Sequence, residues 1–579
     1  MLKSSIFKSN ITIQRKCYHL TKPTASHITT PIFYPNAKPH LGHLYSSLLC
    51  DVFHRWNQMK NVPSLFTTGT DEHGLKIQMA AEKNGFTNPK FFVDKLYQDF
   101  ISLDQHFNIK FTRFIRTTDP DHIKNVEQLW NLCLNNGFIY KGEHNGWYSI
   151  SDETFYPESK IIKDPHNNDK YINTETNNEV FFQSEENYFF KLSTFQEKLI
   201  HLISDPNSKF QIYPESKRKQ ILKELQNGTP LQDLSISRSS SRLKWGIQVP
   251  NDPSQKIYVW FDALCNYITS IGGINALLIT RNTSSGNTTT EPTTIHEGID
   301  SKVWWSNTTH LIGKDIMKFH TVYWPSFLMA AGLPLPKQVV IHNHWISDGL
   351  KMSKSLGNVV DPIMMANKYG ADIVRWYLLE NSKLDEDGDF QELKLKSLRS
   401  LLVSKWGNLI NRCCGKKFNI SRAVQIFTST ENSQDVLSIC DDDPELQTAM
   451  KNIISELEEL PMLMDTKLVC FEPGAALRKI WSIINFANTF VQIAAPWNKT
   501  GIQQDVVIFL CMETSRIIAI LTQPIIPDLS KHLLDFMKVS NDRRSLSFAK
   551  LKTDDSYGFN MNDKSDDVPI PREVESITV

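Results

Sequence analysis

His27-Ile28-Thr29-Thr30-Pro31-Ile32-Phe33-Tyr34-Pro35-Asn36-Ala37-Lys38-Pro39-His40-Leu41-Gly42-His43 is the stretch on which the fold turns. His27–Phe33 is apolar and β-rich and predicts a strand. Tyr34–Pro39 is turn chemistry, and a helical pattern follows from His40 to about Lys60. Ser64–Thr68 predicts a second short strand, then Gly69 and a helix from about Asp71. Strand, loop, helix, strand is the rhythm of a parallel α/β sheet that binds ligands at its strand ends.

The rhythm lapses between about Tyr140 and Asn251. It returns at Ile257–Trp260, Thr309–Ile312 and Gln338–His342, so one sheet domain with a second domain inserted in it is expected. Residues 281–300 are rich in Thr, Ser, Asn and Gly and predict a flexible surface insertion. From about Gln391 onward, apolar residues at helical spacing recur in 395–413, 444–459, 473–493, 505–522 and 528–538. That pattern, punctuated by Pro496, Pro524 and Pro527, predicts an antiparallel helix bundle. A loose polar tail is expected after about 552, and 541–579 is set apart from the bundle.

At 579 residues with 40% hydrophobic and 11% aromatic composition, the chain can bury several cores. Lys+Arg and Asp+Glu are 63 each, so no global positive field draws nucleic acid, and a polyanion must be met by a local patch. Nine Cys without regular spacing fit a reducing compartment rather than a disulfide scaffold. Residues 1–26 carry Lys3, Lys8, Arg15, Lys16 and Lys22, and the first acidic residue is Asp51. Basic, Ser-rich and acid-poor composition is the mitochondrial transit-peptide signature, although a disordered basic tail shares it. The longest apolar stretch, Val506–Leu521, is broken by Glu513 and Arg516, which are expected on the wet side of a bundle helix. No membrane span is expected.

Two motifs carry chemistry. Pro39-His40-Leu41-Gly42-His43 opens the first helix, where unpaired N–H groups favour an anion. His40 and His43 lie three apart on one face and can both donate to phosphate oxygens, and Gly42 leaves room for a flat base. Lys351-Met352-Ser353-Lys354-Ser355 sits between Gly349 and Gly357, a loop able to close two ammonium groups over a polyphosphate. Alone, the histidine pair reads equally as solvated surface, and the lysine loop reads rather as a solvated basic loop.

Together, in this order, the two motifs resemble those of the class I aminoacyl-tRNA synthetases. Leu41 stands where the family usually has Ile. The segments Thr29–His40, Thr68–Gly74, Tyr258–Leu264 and Ile312–Ile316 resemble the methionyl-tRNA synthetases in particular, and the likeness runs from about 27 to about 540. The resemblance implies a Rossmann-like parallel-sheet catalytic domain (27–139 and 252–390) with an inserted connective domain (140–251). It also implies an all-α anticodon-binding domain (391–540). ATP with Mg²⁺, L-methionine and tRNA(Met) are the implied ligands, in the mitochondrial matrix. His40, Gly42, His43, Lys351, Ser353 and Lys354 are the implied ATP-binding residues, with His40, His43, Lys351 and Lys354 catalytic.

The implied methionine pocket is Ile32, Tyr34, Trp260, Ala263, Tyr267, Ile316 and His320, with Asp71 on the substrate ammonium. Such walls suit a thioether, because sulfur–aromatic contacts are favourable by about 0.3–1.5 kcal/mol. Asn408 and Arg412, four apart on one face, and Trp497 match the family's anticodon motifs. Many relatives hold zinc in the connective domain with Cys pairs. Here no Cys occurs between Cys133 and Cys265, and Ser149 stands where such relatives place one, so no structural zinc is expected. The modest insertion implies no separate editing site, and no appended module follows the bundle, so a monomer is expected. A non-catalytic RNA-binding derivative would carry damaged phosphate motifs, and both are present.

Overall fold

The structure, a computed structural model, describes residues 24–149, 151, 154–156, 158–165, 167–278, 299–352, 358–428, 436, 439, 443–559, 561 and 568–571. The leader expected at 1–26 and the insertion expected at 281–300 fall almost wholly outside these residues.

Six strands form a parallel sheet: β1 (Ser26–Thr29), β2 (Ser64–Thr70), β3 (Arg113–Arg116), β4 (Gln211–Tyr213), β5 (Thr308–Gly313) and β6 (Gln338–His342), in the order β3-β2-β1-β5-β6-β4. Helices cover both faces, so β1 and β2 are buried along their whole length. Their polar side chains pair across strands. His27 bonds Thr308 Oγ1 (2.9 Å) and Thr67 Oγ1 (3.0 Å), and Thr29 bonds His310 (3.0 Å).

The expected strand to Phe33 is shorter. Thr30 N and Phe33 N still reach β2, at Thr67 O (3.1 Å) and Gly69 O (2.8 Å), but Pro31 between them has no N–H to give. The helix expected from Asp71 begins at Leu75, because Gly74 takes φ +100° and residues 71–74 form a loop. Ile257–Trp260 does not join the sheet. Asp252–Ile257 lies antiparallel to Ser237–Ser239, and Val259–Leu264 is helical. The sheet's sixth place goes to β4, from the middle of the stretch expected as an insertion. A second, antiparallel sheet is built around Ile139–Ser149 and Glu179–Phe190, in register from Ile139↔Phe190 to Tyr148↔Phe181.

The first crossover helix, α1 (Leu41–Met59), is buried over most of its length and lies between the sheet and the C-terminal helices. In the following order come α2 (Pro120–Asn135), α3 (Val259–Leu264), α4 (Ala371–Glu380), α5 (Asn408–Cys413), α6 (Pro444–Val469), α7 (Pro473–Ala494) and α8 (Ile502–Leu521). One apolar core runs from α1 through α4 into the bundle. Fully buried Arg375 of α4 ties the parts together. Its guanidinium donates to Asp51 Oδ2 (2.7 Å), Phe107 O (2.8 Å), Pro524 O (2.9 Å) and Ile525 O (2.7 Å). Trp56 Nε1 (2.8 Å) and Lys60 Nζ (2.7 Å) both reach Asp465 of α6.

Glu513 and Arg516 are not on a wet face. Both are fully buried in α8, paired at 2.5 and 2.9 Å. Their remaining capacity is met by the segment expected to be a loose tail. Glu513 accepts from Tyr557 OH and Lys552 N, and Arg516 donates to Phe548 O and Lys550 O. Ala549, Asp554 and Tyr557 are fully buried, and Ile570 nearly so. The polar composition misleads here because the segment both satisfies a buried charge pair and packs scattered apolar residues, Ala549, Tyr557 and Ile570, into the core without a helical stripe.

Candidate active site

Several of the expected residues follow the C-terminal ends of the sheet's strands, where open α/β sheets bind ligands: Ile32 and Tyr34 after β1, Asp71 after β2, and Ile316 and His320 after β5. His40 is the N-cap of α1, in extended conformation (φ −129°, ψ −179°). Its Nδ1 accepts from Gly42 N–H (3.1 Å), and its own N–H donates to His43 Nδ1 (3.0 Å). This is a capping box made of two imidazoles. A backbone N–H can only donate, so both Nδ1 atoms are acceptors, and each ring proton is thereby assigned to Nε2. The rings lie 3.9 Å apart at 32°, and His43 is braced edge-on by Phe33 (4.8 Å) and Phe100 (5.4 Å). Burial, and after it the neighbouring His40, holds the His43 pKa well below the usual imidazole value. Both ring protons thus sit on Nε2, at a helix N-terminus. Gly42 admits the His40 ring itself, since a Cβ there would stand 3.0 Å from His40 Cε1.

Lys351 ends a short hairpin, Trp345–Ser347 with Leu350–Lys351. The turn is Asp348-Gly349, both with positive φ, and Gly349 N is held by Asp389 Oδ1 at 2.9 Å. The Lys351 side chain, Ser353 and Lys354 lie outside the described residues.

The second group of expected residues converges on α3 and the turn after β5. Tyr267 OH lies 2.6 Å from His320 Nε2, and His320 Nδ1 lies 2.9 Å from Ile316 O. The carbonyl can only accept, so His320 carries its proton on Nδ1 and takes the Tyr267 proton on Nε2. Burial lowers the His320 pKa to about 4, opposed by the Ile316 carbonyl. Trp260 is half-buried and stands at right angles to His320 (6.3 Å, 84°). Ala263 is buried on the same short helix, and Ile316 and Tyr34 pack on the same apolar cluster. Ile32 is half-buried three residues beyond β1.

Three neighbours escaped the sequence reading. Phe319 stacks flat on Trp260 (3.8 Å, 11°), and His310 and Trp324 stand 4.0 and 6.2 Å from the Tyr267 ring. Phe319 and His320 open a π-helical turn, Phe319–Tyr323, a distortion frequent at functional sites. Phe319 adjoins His320 in sequence, which was its only available signal.

Asp71 follows β2, nearly fully buried, with its N–H on Phe33 O at 2.8 Å. Next to it, Glu72 is fully buried and accepts from Arg116 Nε (2.6 Å) and NH2 (3.0 Å), Thr70 (2.7 Å) and Thr118 (2.6 Å). A carboxylate so fully paired repays its burial, whereas one left alone would not.

Some distance along the chain, Asn408 opens α5 on an exposed position, and Arg412 follows one turn later. The Arg412 guanidinium lies 5.4 Å from the Trp497 ring centroid. Trp497 is 43% exposed, on a tight turn after Ala495, whose φ is +41°. An exposed indole with a guanidinium beside it is a stacking platform for an unpaired base.

The chain matches the family model of tRNA synthetases class I (M) over residues 26–414, and that of the anticodon binding domain of methionyl tRNA ligase over 439–556. It is 59% identical over 570 residues to the mitochondrial methionine–tRNA ligase of Saccharomyces cerevisiae, covering 96% of this chain and 97% of that protein. To the mitochondrial methionine–tRNA ligase of Homo sapiens it is 38% identical over 535 residues, covering 90% and 85%. Among solved structures it is similar to Mycobacterium tuberculosis methionyl-tRNA synthetase bound by methionyl-adenylate, with TM-score 0.76, 31% identity and coverage of 91% and 96%. The apo form of that enzyme gives TM-score 0.73, 28% identity and coverage of 95% and 98%. With both family models matched over most of its length and a relative 59% identical over 96% of it, this chain belongs to the class I methionyl-tRNA synthetase family.

Proposed function

We propose that the chain is a mitochondrial methionine–tRNA ligase that joins L-methionine to tRNA(Met) in the matrix through a methionyl-adenylate. The observation that carries this reading is the imidazole capping box, in which both Nδ1 atoms accept helix-end N–H groups and each ring proton therefore sits on Nε2. The methionine carboxylate attacks the α-phosphorus of ATP in line, and pyrophosphate leaves with the former phosphoanhydride oxygen. His40 and His43, joined by Lys351 and Lys354 from the hairpin loop, stabilise charge on the phosphate oxygens. Mg²⁺ enters as part of the nucleotide substrate. The terminal ribose hydroxyl of the tRNA then attacks the carbonyl, and AMP leaves.

Trp260, Ala263, Tyr267, Ile316 and His320, with Ile32 and Tyr34, surround the thioether, and Asp71 takes the ammonium. Asn408, Arg412 and Trp497 read the anticodon. The connective sheet is proposed to work without zinc, since Ser149 and the Cys-free stretch up to Cys265 supply no thiolate set. A monomer, and a leader ending before β1, complete the reading. ATP–pyrophosphate exchange with each of the twenty amino acids tests it. Methionine should drive exchange best, and a better result with any other amino acid overturns the substrate.

A further inference from the structure

Asp262 sits on α3 between Trp260 and Ala263 and is almost wholly buried. Each carboxylate oxygen has one partner. Oδ2 lies 2.7 Å from His73 Nδ1, and Oδ1 lies 2.7 Å from His122 Nε2 of α2. His122 is fully buried and continues to Thr269 Oγ1 (3.2 Å). His73 belongs to the loop of Asp71, two residues away. That loop is pinned on its other side by the Glu72 network, and Trp245 Nε1 bonds Glu72 O (2.6 Å) while its ring stands 5.4 Å from His73. The loop that bears the expected ammonium ligand and the helix that bears the expected thioether wall are therefore joined by one buried carboxylate. These two histidines outweigh the burial that would otherwise raise the Asp262 pKa, and they leave it below the usual range.

We propose that Asp262 is a positioning residue for amino-acid selection: through His73 it fixes the separation between Asp71 and the Trp260–Ala263 wall. Both ends of one methionine are then read at a set distance. This rests on the functional reading above. Its consequence is specific: a ligand that uses both ends depends on the link, and a ligand that uses one end does not.

The test compares methionine with 4-methylthiobutanoate, which keeps the thioether and carboxylate but has no ammonium, as a competitive inhibitor of exchange. In Asp262→Asn the KM for methionine should rise roughly ten-fold or more, as expected for losing a hydrogen bond to a buried charge. The KM for ATP, the turnover at saturating methionine and the Ki of the inhibitor should stay within about two-fold. His73→Phe, which keeps a ring against Trp245 but has no N–H, cuts the same link from the loop side and decides the matter if Asp262→Asn does not fold. His73→Asn, whose amide nitrogen can occupy the place of Nδ1, should restore methionine affinity. Equal weakening of methionine and inhibitor in the variants, or unchanged methionine affinity, overturns the proposal. If the wild-type enzyme shows no methionine-dependent exchange, the functional reading fails and the proposal falls with it.

Discussion

Each imidazole of the capping box accepts a helix-end N–H, and in the proposed reading each also donates toward the nucleotide. Removing His43 therefore costs both a cap and a charge-stabilising donor. His43→Ala should lower the rate of adenylate formation by about 10²–10³-fold while leaving methionine binding nearly intact. Lys354→Ala should do the same. Pre-steady-state adenylate formation measured beside equilibrium methionine binding checks both, and an unchanged rate in either variant removes that residue from the mechanism. At the other end, Trp497→Ala should raise the KM for tRNA by roughly ten-fold without altering exchange, and Trp497→Phe should recover much of the loss, because stacking is worth about 1–3 kcal/mol per base. Aminoacylation kinetics with varied tRNA would show it. His40 and His43 stand out in the sequence because they share one contiguous motif, whereas His320 entered only through the family resemblance. Phe319 and His310 do not stand out, since an aromatic beside a motif reads as core until its ring is seen against Trp260 or Tyr267.

Among the elements, the strands that the sequence reading found were those flanked by turn chemistry, such as Ser64–Thr70. Gln211–Tyr213 escaped because three residues before Pro214 give no period to count. Ile257–Trp260 was misplaced for the opposite reason: a short apolar run has the same composition whether it ends a strand or opens a helix. Gly69 shows what the sheet demands of one position. It lies inside β2, and a Cβ there would stand 1.9 Å from Ile115 O on β3. Gly69→Ala should separate the two strands next to Asp71 and lower stability by about 3 kcal/mol, the upper end of the usual overpacking cost. A thermal melt within a degree of wild type would contradict that contact. A second π-helical turn, Leu402–Gly407, leads directly into Asn408, as the first carries His320, so both distortions adjoin residues proposed for the two sites.

Across the whole molecule, buried titratable groups set how stability responds to pH. Burial lowers His27 to about 3 and His320 and His342 to about 4, and holds His43 and His310 well below 6.5. Below pH 6.5 the unfolded chain binds protons at these five sites that the folded chain refuses, so stability falls with acid, by about 1.4 kcal/mol per pH unit for each. Burial also raises Asp104 to about 8 and Asp372 to about 7. The folded chain keeps those two protons above pH 4 while the unfolded chain loses them, so stability falls again as pH rises through 7 to 8. Five sites outweigh two in acid, which places the maximum near pH 6.5–7. Urea unfolding from pH 4.5 to 8.5 should trace that peak, and a stability that climbs steadily to pH 8.5 would refute the assignment of the two carboxyls.

Helix α1 is the feature that the division into domains conceals. Its first turn holds the paired imidazoles, while Phe53 stacks on Phe471 at 4.8 Å and Trp56 bonds Asp465, both from the anticodon side. Arg375 leans on two carbonyls, of Pro524 and Ile525, that arrive last in the chain. Severed after residue 390, the N-terminal two-thirds would bare two large rings to water and strand a guanidinium with half its acceptors missing. The seam drawn in the sequence is thus no place to cut: catalyst and reader are halves of a single solid, and neither half is born complete.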